Sequence, residues 1–262
     1  MSQIRIERRG AVALLTFDRP HRLNAFTDET RRELLALLDH TAADASVRAL
    51  VLTGAGRGFC SGEDLKWRSE TAQAERPAAS ARQSLDDCQE ITRRMVDHPK
   101  VICAAVNGVA VGLGAELAIA SDIRIAAAGA SFALPESKRA LFVTNGALYL
   151  LPRIVGYGRA LEMVLTGRTM SASEALATGL VSRVVPDADI VDATVEVAQL
   201  IARNAPVSLR LHKSVIRRAT ELDLEASLRL EADAALECEG TGDLAEGLRA
   251  FAERREPRYQ GH

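Results

Sequence analysis

Two glutamates stand where a carboxylate is hard to accommodate. Glu116 interrupts Leu113 to Ala120, a run otherwise made of apolar residues and glycine, and Glu136 follows Pro135 directly after Phe132-Ala133-Leu134. A charged group in such surroundings needs a partner or a task. Two carboxylates converging on one water have their pKa values pushed apart by burial and mutual repulsion, so that one serves as base and the other as acid. Addition of water across an activated double bond needs that division: a water deprotonated toward one carbon and a proton for its neighbour. Taken singly, each residue also fits a plainer role. Glu116 can be a buried carboxylate satisfied by an arginine or a backbone N–H, and Glu136 a first-turn helix residue after proline.

Two glycine-rich strings offer backbone donors. Gly62-Glu63 places an N–H where a short helix starts, and Gly112-Leu113-Gly114 does the same at the head of the helix carrying Glu116. Two such groups from separate loops can form an oxyanion hole for a carbonyl oxygen on which negative charge develops, and a helix N-terminus adds about half a positive charge. Ser61-x-x-Asp64 also reads as a plain capping box.

Other motifs fail. Gly54-x-Gly56-x-Gly58 has no glycine at 59, Gly112-x-Gly114 lacks its third glycine, and neither a phosphate-binding G-x-x-x-x-G-K-[ST] nor H-E-x-x-H occurs. Five scattered histidines (His21, His40, His98, His212, His262) speak against a metal cluster. Gly58-Phe59-Cys60-Ser61-Gly62 is a cysteine version of a nucleophile elbow, with His98 or His212 as possible base. A charged Glu63-Asp64 turn follows it where an elbow leads into a long helix, so a small buried cysteine at a strand end is the better reading.

Composition narrows the class. The chain has 262 residues, 47% hydrophobic and 26% charged, enough for a sizeable core. That excludes a disordered chain, a collagen-like repeat and a disulfide scaffold. A net charge of −2 gives no basic field for nucleic acid. Cys60, Cys88, Cys103 and Cys238 are widely spaced without C-x-x-C, which fits a reducing, cytoplasmic setting and no thiolate metal site. MSQIRIERRG lacks an apolar leader. Val101 to Ala120 is long enough to span a membrane, but its glycines, Glu116 and the following Asp122 and Arg124 favour a buried strand, a glycine-rich loop and a buried helix.

The positioning elements follow from pattern. Residues 4–7 and 12–17 read as strands about a turn at Arg9-Gly10, and Thr27-Asp28 opens a helix with Leu34, Leu35, Leu37 and Leu38 on its face. Residues 48–53, 59–61, 101–106, 123–125 and 131–133 read as extended, and 84–96 and 113–121 as helices. Residues 68–82 read as a mobile segment or lid. From Gly146 onward helices dominate, with one strand near 181–185 and helical stretches at 188–203, 206–219, 223–239 and 243–254. The result is an α/β core followed by a helical region.

The strings 56–65 and 107–118, with Ser121-Asp122 and Phe132-Ala133-Leu134-Pro135-Glu136, resemble the enoyl-CoA hydratase/isomerase (crotonase) superfamily. Arg19-Pro20, Leu23-Asn24-Ala25, Leu165-Thr166-Gly167, Ala177-x-Gly179-Leu180-Val181 and the 246–257 segment match in order, so the resemblance covers nearly the whole chain. It implies an α/β fold, a crotonase-like ββα spiral core (1–195) with a C-terminal helical trimerisation region (196–262), and assembly as a trimer or a hexamer of two trimers. It implies hydration of a 2-enoyl-CoA, or the reverse dehydration, with Glu116 as base and Glu136 as proton donor to C2. The N–H groups of Glu63 and Leu113 become the oxyanion donors. Coenzyme A enters as part of the substrate, with no metal and no resident cofactor. Arg22, Arg57, Ser61, Leu65 and Lys66 are expected along the CoA, and Trp67, Leu141, Thr144 and Phe251 around the acyl group. Neither nucleic acid nor membrane is an expected partner. The chain departs from the family at Leu141-Phe142-Val143-Thr144-Asn145, where relatives carry a Pro-Gly-x-Gly-Gly-like run, and at Glu63, whose side chain has no assigned role. The Thr144-Asn145 change favours the alternative of an enoyl-CoA isomerase, and retention of Glu116 opposes it. A non-catalytic scaffold of the same fold is a further alternative.

Overall fold

The computed structural model describes residues 2–70 and 78–262. β1 (Ile4–Arg9) and β2 (Val12–Phe17) form an antiparallel hairpin in which Ile4 faces Phe17 and Arg9 faces Val12. α1 (Asp28–Ala43) starts at a reciprocal Thr27–Thr30 capping box and buries Leu34 and Leu38. Then come β3 (Ala49–Gly54), β4 (Gly58–Cys60), α2 (Leu65–Glu70) and α3 (Ala78–Val96). β5 (Val101–Val106), β6 (Val109–Val111) and α4 (Leu113–Ala120) follow, then β7 (Ile123–Ala127) and β8 (Ser131–Ala133).

The chain alternates between two sheets. β3, β5, β7 and β10 (Arg183–Val185) join the hairpin in a six-stranded sheet of order β1-β2-β3-β5-β7-β10, while β4, β6, β8 and β9 (Thr169–Ser171) form the second sheet. β3, β5 and β7 of the first sheet each feed a short strand of the second and then a helical segment, which is a ββα spiral. β3 and β5 are buried along their whole length, as parallel strands covered on both faces must be.

The stretch 101–120 resolves into β5, β6 and α4, so the expected glycine-rich loop contains a strand. Val109–Val111 lies in the ladder between β4 and β8, a three-residue strand too short for periodicity to show. β9 escaped the sequence reading for the same reason. α3 begins six residues before the expected 84; the expected lid at 68–82 falls partly outside the described residues.

After β8 come a 3-10 turn (Glu136–Arg139), α5 (Ala147–Val155), α6 (Tyr157–Thr166), α7 (Ala172–Ala177) and α8 (Ile190–Ala202). The expected boundary between residues 195 and 196 falls inside α8. α9 (Pro206–Ala219), α10 (Leu224–Glu239) and α11 (Gly242–Glu253) complete the chain. α9 is latched to the core at Asp122, whose carboxylate takes Lys213 Nζ at 2.9 Å, Arg217 Nη2 at 2.7 Å and the Ile102 N–H at 2.8 Å. No helix among the described residues is long and apolar enough to cross a membrane.

One close approach brings the two sheets' helix starts together. A Cβ on Gly114 would lie 2.0 Å from the Cys60 carbonyl oxygen, so only glycine lets α4 lie against β4. Gly114→Ala is expected to destabilise the protein by about 3 kcal/mol or more through overpacking against backbone. Gly158→Ala in α6, where a Cβ meets nothing within 4 Å, is expected to be neutral or stabilising by about 0.5–1 kcal/mol. Thermal melts of the two variants beside the parent check the contrast.

Candidate active site

The loop before α2 is tied down by motifs far from it in sequence. Asn24 Nδ2 donates to the carbonyls of Ala55 (2.9 Å) and Gly58 (2.7 Å), and its Oδ1 accepts the Arg19 N–H at 2.9 Å. Arg19 Nη2 meets Asp64 Oδ2 at 2.9 Å, while Asp64 Oδ1 caps α2 through the Trp67 N–H at 2.9 Å. Phe26 donates to the Gly62 carbonyl and accepts from the Asp64 N–H. In that parallel bridge the intervening Glu63 N–H points away from Phe26. It has no hydrogen-bond partner among the described residues, and neither does the Leu113 N–H at the first position of α4.

These two donors are neighbours. Gly62 has φ +95, and a Cβ there would lie 2.8 Å from the Val111 carbonyl and 3.5 Å from the Leu113 nitrogen. They open on a cavity of about 320 Å³. Two preset N–H groups, one at a helix N-terminus, can hold an oxygen on which negative charge develops.

Both glutamates line the same cavity. Glu116, one turn into α4, is buried at 3% exposure. Its Oε1 accepts the Asn145 N–H at 2.8 Å and its Oε2 the Asn145 Nδ2–H at 2.6 Å. Burial pushes its pKa up to about 7, against the pull of the Asn145 donors. Glu136 lies at the head of α4, where a Cβ on Gly112 would sit 2.9 Å from its Oε1. Its Oε2 is buried with no partner among the described residues, and burial raises its pKa too. The two Asn145 donors favour the charged form of Glu116 but do not overcome its burial, and Glu136 nearby adds to the rise.

Of the residues expected from sequence, Glu63, Leu113, Glu116, Glu136, Ser61, Leu65, Leu141 and Thr144 line this cavity. Arg22, Arg57, Lys66, Trp67 and Phe251 do not. Leu65 and Arg68 share one face of α2 at helical spacing and look into the cavity; Lys66 and Trp67 lie on other faces. Phe251 is 86% exposed on α11. Arg57 is exposed on the turn between β3 and β4, and Arg22 sits beside Ser61, whose Oγ donates to the Arg22 carbonyl at 3.2 Å.

Sequence reading missed Asn145 as the holder of Glu116, and missed Arg31, Arg68, Cys88 and Arg139 on the cavity wall. Asn145 was visible only as a departure from glycine. Arg31 looked like one more charge on an amphipathic helix, yet it is buried, pairs with Asp28 and donates to Ser84 Oγ at 3.0 Å. It also explains the Glu63 side chain, whose carboxylate lies 3.9 Å from Arg31 Nη1 and 3.2 Å from Arg68 Nη1. Glu63 is thereby neutralised by two guanidinium groups.

Cys60 is no nucleophile. Its thiol is sealed in the core and burial pushes its pKa up to about 12. His98, held by the Leu38 carbonyl and pushed down to about 4 by burial, and His212, exposed on α9, are both absent from the cavity wall. Among the described residues no group of three or more His, Cys, Asp or Glu side chains is placed to hold a metal ion.

A family model described as Enoyl-CoA hydratase/isomerase matches residues 7–262. The chain belongs to the enoyl-CoA hydratase/isomerase family. It is 38% identical over 251 residues to the 1,2-epoxyphenylacetyl-CoA isomerase of Escherichia coli K12, covering 95% of each chain. It is 34% identical over 256 residues to the short-chain-enoyl-CoA hydratase of Clostridium acetobutylicum, covering 97% of this chain and 96% of the relative. It superposes on the crystal structure of an enoyl-CoA hydratase from Bacillus anthracis with a TM-score of 0.94 at 35% identity, covering all of both chains. The fold is that of the crotonase superfamily, and the family acts on CoA thioesters. Relatives at this distance include both hydratases and an isomerase, so family membership alone leaves the reaction open between them.

The burial of Glu116 has a stability consequence. Burial pushes the Glu116 pKa up to about 7, against 4.5 for the free group. Its raised pKa is a stability contribution present below about pH 4.5 and lost as pH rises through 7. Above pH 7 the ionised form costs on the order of 3 kcal/mol. Glu116→Gln removes that cost, and the orphaned Asn145 Oδ1 can accept the new amide after rotation. Glu116→Gln is expected to melt higher than the parent at pH 8 and at the same temperature at pH 4, as calorimetry at the two pH values will read.

Proposed function

We propose that the protein is an enoyl-CoA hydratase, adding water across the double bond of a 2-enoyl-CoA or catalysing the reverse dehydration. One observation carries the reading. Two carboxylates with unequal partners, buried Glu116 gripped twice by Asn145 and part-buried Glu136 with its Oε2 unpartnered among the described residues, line one cavity beside two unpaired N–H groups.

In this scheme the thioester oxygen accepts from the Glu63 and Leu113 N–H groups. Glu116, ionised, takes a proton from water as the water oxygen bonds to C3. The C2–C3 π pair moves to C2 and the thioester oxygen, where the two donors stabilise the enolate. Glu136 then gives its proton to C2. The pair ends with its proton moved from Glu136 to Glu116, and dehydration runs the same steps backward. Every proton comes from water or the two carboxylates, so the scheme draws on no metal or resident cofactor. The CoA portion would lie along residues 57–66, with Arg22, Arg57 and Lys66 toward the phosphates, Ser61 backbone toward the adenine and Leu65 at the inner end. Leu141 and Thr144 would contact the acyl group. Assembly of copies through the C-terminal helices belongs to the same proposal and is supported by exposed Ile216, Leu236, Leu248 and Phe251 on α9 to α11.

The test follows the conjugated enoyl-thioester absorbance of crotonyl-CoA. The parent is expected to remove it, and Glu116→Gln and Glu136→Gln each to slow the reaction at least a hundredfold. A parent inert on crotonyl-CoA that converts a 3-enoyl-CoA to the conjugated product would replace hydratase by isomerase. For the parent, kcat/KM should rise with a midpoint near pH 7 as Glu116 ionises. The rising limb should vanish in Glu116→Gln.

A further inference from the structure

Asn145 touches Glu116 twice, and two hydrogen bonds from α3 hold the turn that carries it. Its backbone N–H and its Nδ2–H each take a different oxygen of Glu116. The turn that carries it is fastened to α3: Thr92 Oγ1 donates to the Asn145 carbonyl at 2.9 Å, and Gln89 Nε2 donates to the Thr144 carbonyl at 3.1 Å. Gly146 then leaves the turn at φ +81, with room for no more than a tight Cβ contact, 3.2 Å from Thr92 Cγ2. Asn145 is buried at 4% exposure, and its Oδ1 has no partner among the described residues. The amide is therefore oriented by Glu116 alone: rotated the other way, Oδ1 would face a carboxylate.

We infer that Asn145 is a positioning residue for Glu116, fixing its side chain in the cavity and keeping it in the charged form that can accept a proton from water. The inference deepens the hydratase reading and rests on Glu116 acting as the base. Hydrogen bonds to the charged form of a carboxylate favour that form, and they matter most where water is excluded. The other charged or titratable groups around Glu116 cannot do this work unaided. On the cavity wall these are Arg31 from α1, Glu63 and Arg68 around the start of α2, Cys88 from α3, and Glu136 and Arg139 from the 3-10 turn. Arg31 and Arg68 are engaged by Glu63, and Glu136 repels the charge on Glu116. A two-point grip also fixes geometry. Each Glu116 oxygen keeps a second lone pair, so a water can bind without displacing Asn145. The chain thus has its own substitute for the family's glycine-rich run: α3 fastens the 144–145 turn, and the turn fastens the base.

The test compares Asn145→Ala, Asn145→Asp and the more distant Thr92→Val by pH–rate profile on crotonyl-CoA. In Asn145→Ala the rising limb of kcat/KM is expected to move up by about one pH unit, so that kcat/KM at pH 6 falls about tenfold. KM should stay within about twofold of the parent, because Asn145 acts through Glu116. Asn145→Asp keeps the shape but replaces the donor by a second charge, and should move the limb further. Thr92→Val, which loosens only the turn, should move it in the same direction by less, and serves if Asn145→Ala folds poorly. Unshifted limbs with a uniform loss of rate at all pH values would mean a merely structural role and overturn the inference. A second readout needs no turnover. The carboxylate infrared band that disappears in Glu116→Gln gives the titration midpoint of Glu116, and it should rise in Asn145→Ala. A raised midpoint in a protein that does not hydrate crotonyl-CoA would sink the hydratase reading and leave the role of Asn145 standing; an unchanged midpoint in an active enzyme would do the reverse.

Discussion

A carboxylate buried on an all-apolar helix is the constraint that the rest of the site satisfies. α4 is buried along its whole length, and Glu116 is its one charged side chain. Such a group either takes up a proton or is supplied with donors. Here the donors come from Asn145, nearly thirty residues later in the chain, on a turn that α3 holds in place. Glu136 sits across the cavity with one oxygen unpaired. In the proposed scheme the asymmetry between the two carboxylates, and not their presence alone, separates a base from an acid.

The spiral puts these pieces together. Each passage from the large sheet to the small one ends in a short strand whose end opens toward the cavity. β4 delivers the Glu63 N–H, β6 the Leu113 N–H and the helix with Glu116, and β8 the turn with Glu136. The three β-ends lie side by side because β4, β6 and β8 are hydrogen-bonded neighbours. Close backbone contact at Gly114 and the positive φ of Gly62 allow the first two ends to approach. The proposed oxyanion donors are main-chain groups of a packed core, which would keep them fixed as charge develops. Leu113 and Glu63 can vary as side chains without moving their N–H groups, which is why a leucine and a glutamate are tolerated there.

Much of this was legible in the sequence, because it is written in residue types that have few other uses. Glycines at 62 and 112 and glutamates at 116 and 136 marked residues that line one cavity, and Gly114 the close packing beside it. Leu23-Asn24-Ala25 and Arg19 marked the brace of the loop before α2. What stayed hidden depends on which side chains meet across the fold. Asn145 could be seen only as a departure from glycine, and its grip on Glu116 spans two turns of the spiral. The burial of Arg31 and its approach to Glu63 could not be read from a helix whose charges look solvated. Trp67 was expected at the acyl group for its bulk, but helical phase turns it away from the cavity; Phe251, expected to close a pocket of its own or an adjacent subunit, stands exposed on α11. Strands β6 and β9 were too short to show a period.

The central claim is that water is added at C3 while C2 takes a proton through the Glu116–Glu136 pair. The direct measurement is mass spectrometry of the product formed from crotonyl-CoA in water enriched in oxygen-18, and in parallel in deuterium oxide. The account predicts a 3-hydroxyacyl-CoA carrying one solvent oxygen at C3 and one solvent hydrogen at C2, with incorporation strongly slowed in Glu116→Gln. Solvent hydrogen entering the acyl chain with no solvent oxygen in any product would contradict it, because that is the signature of double-bond migration without hydration.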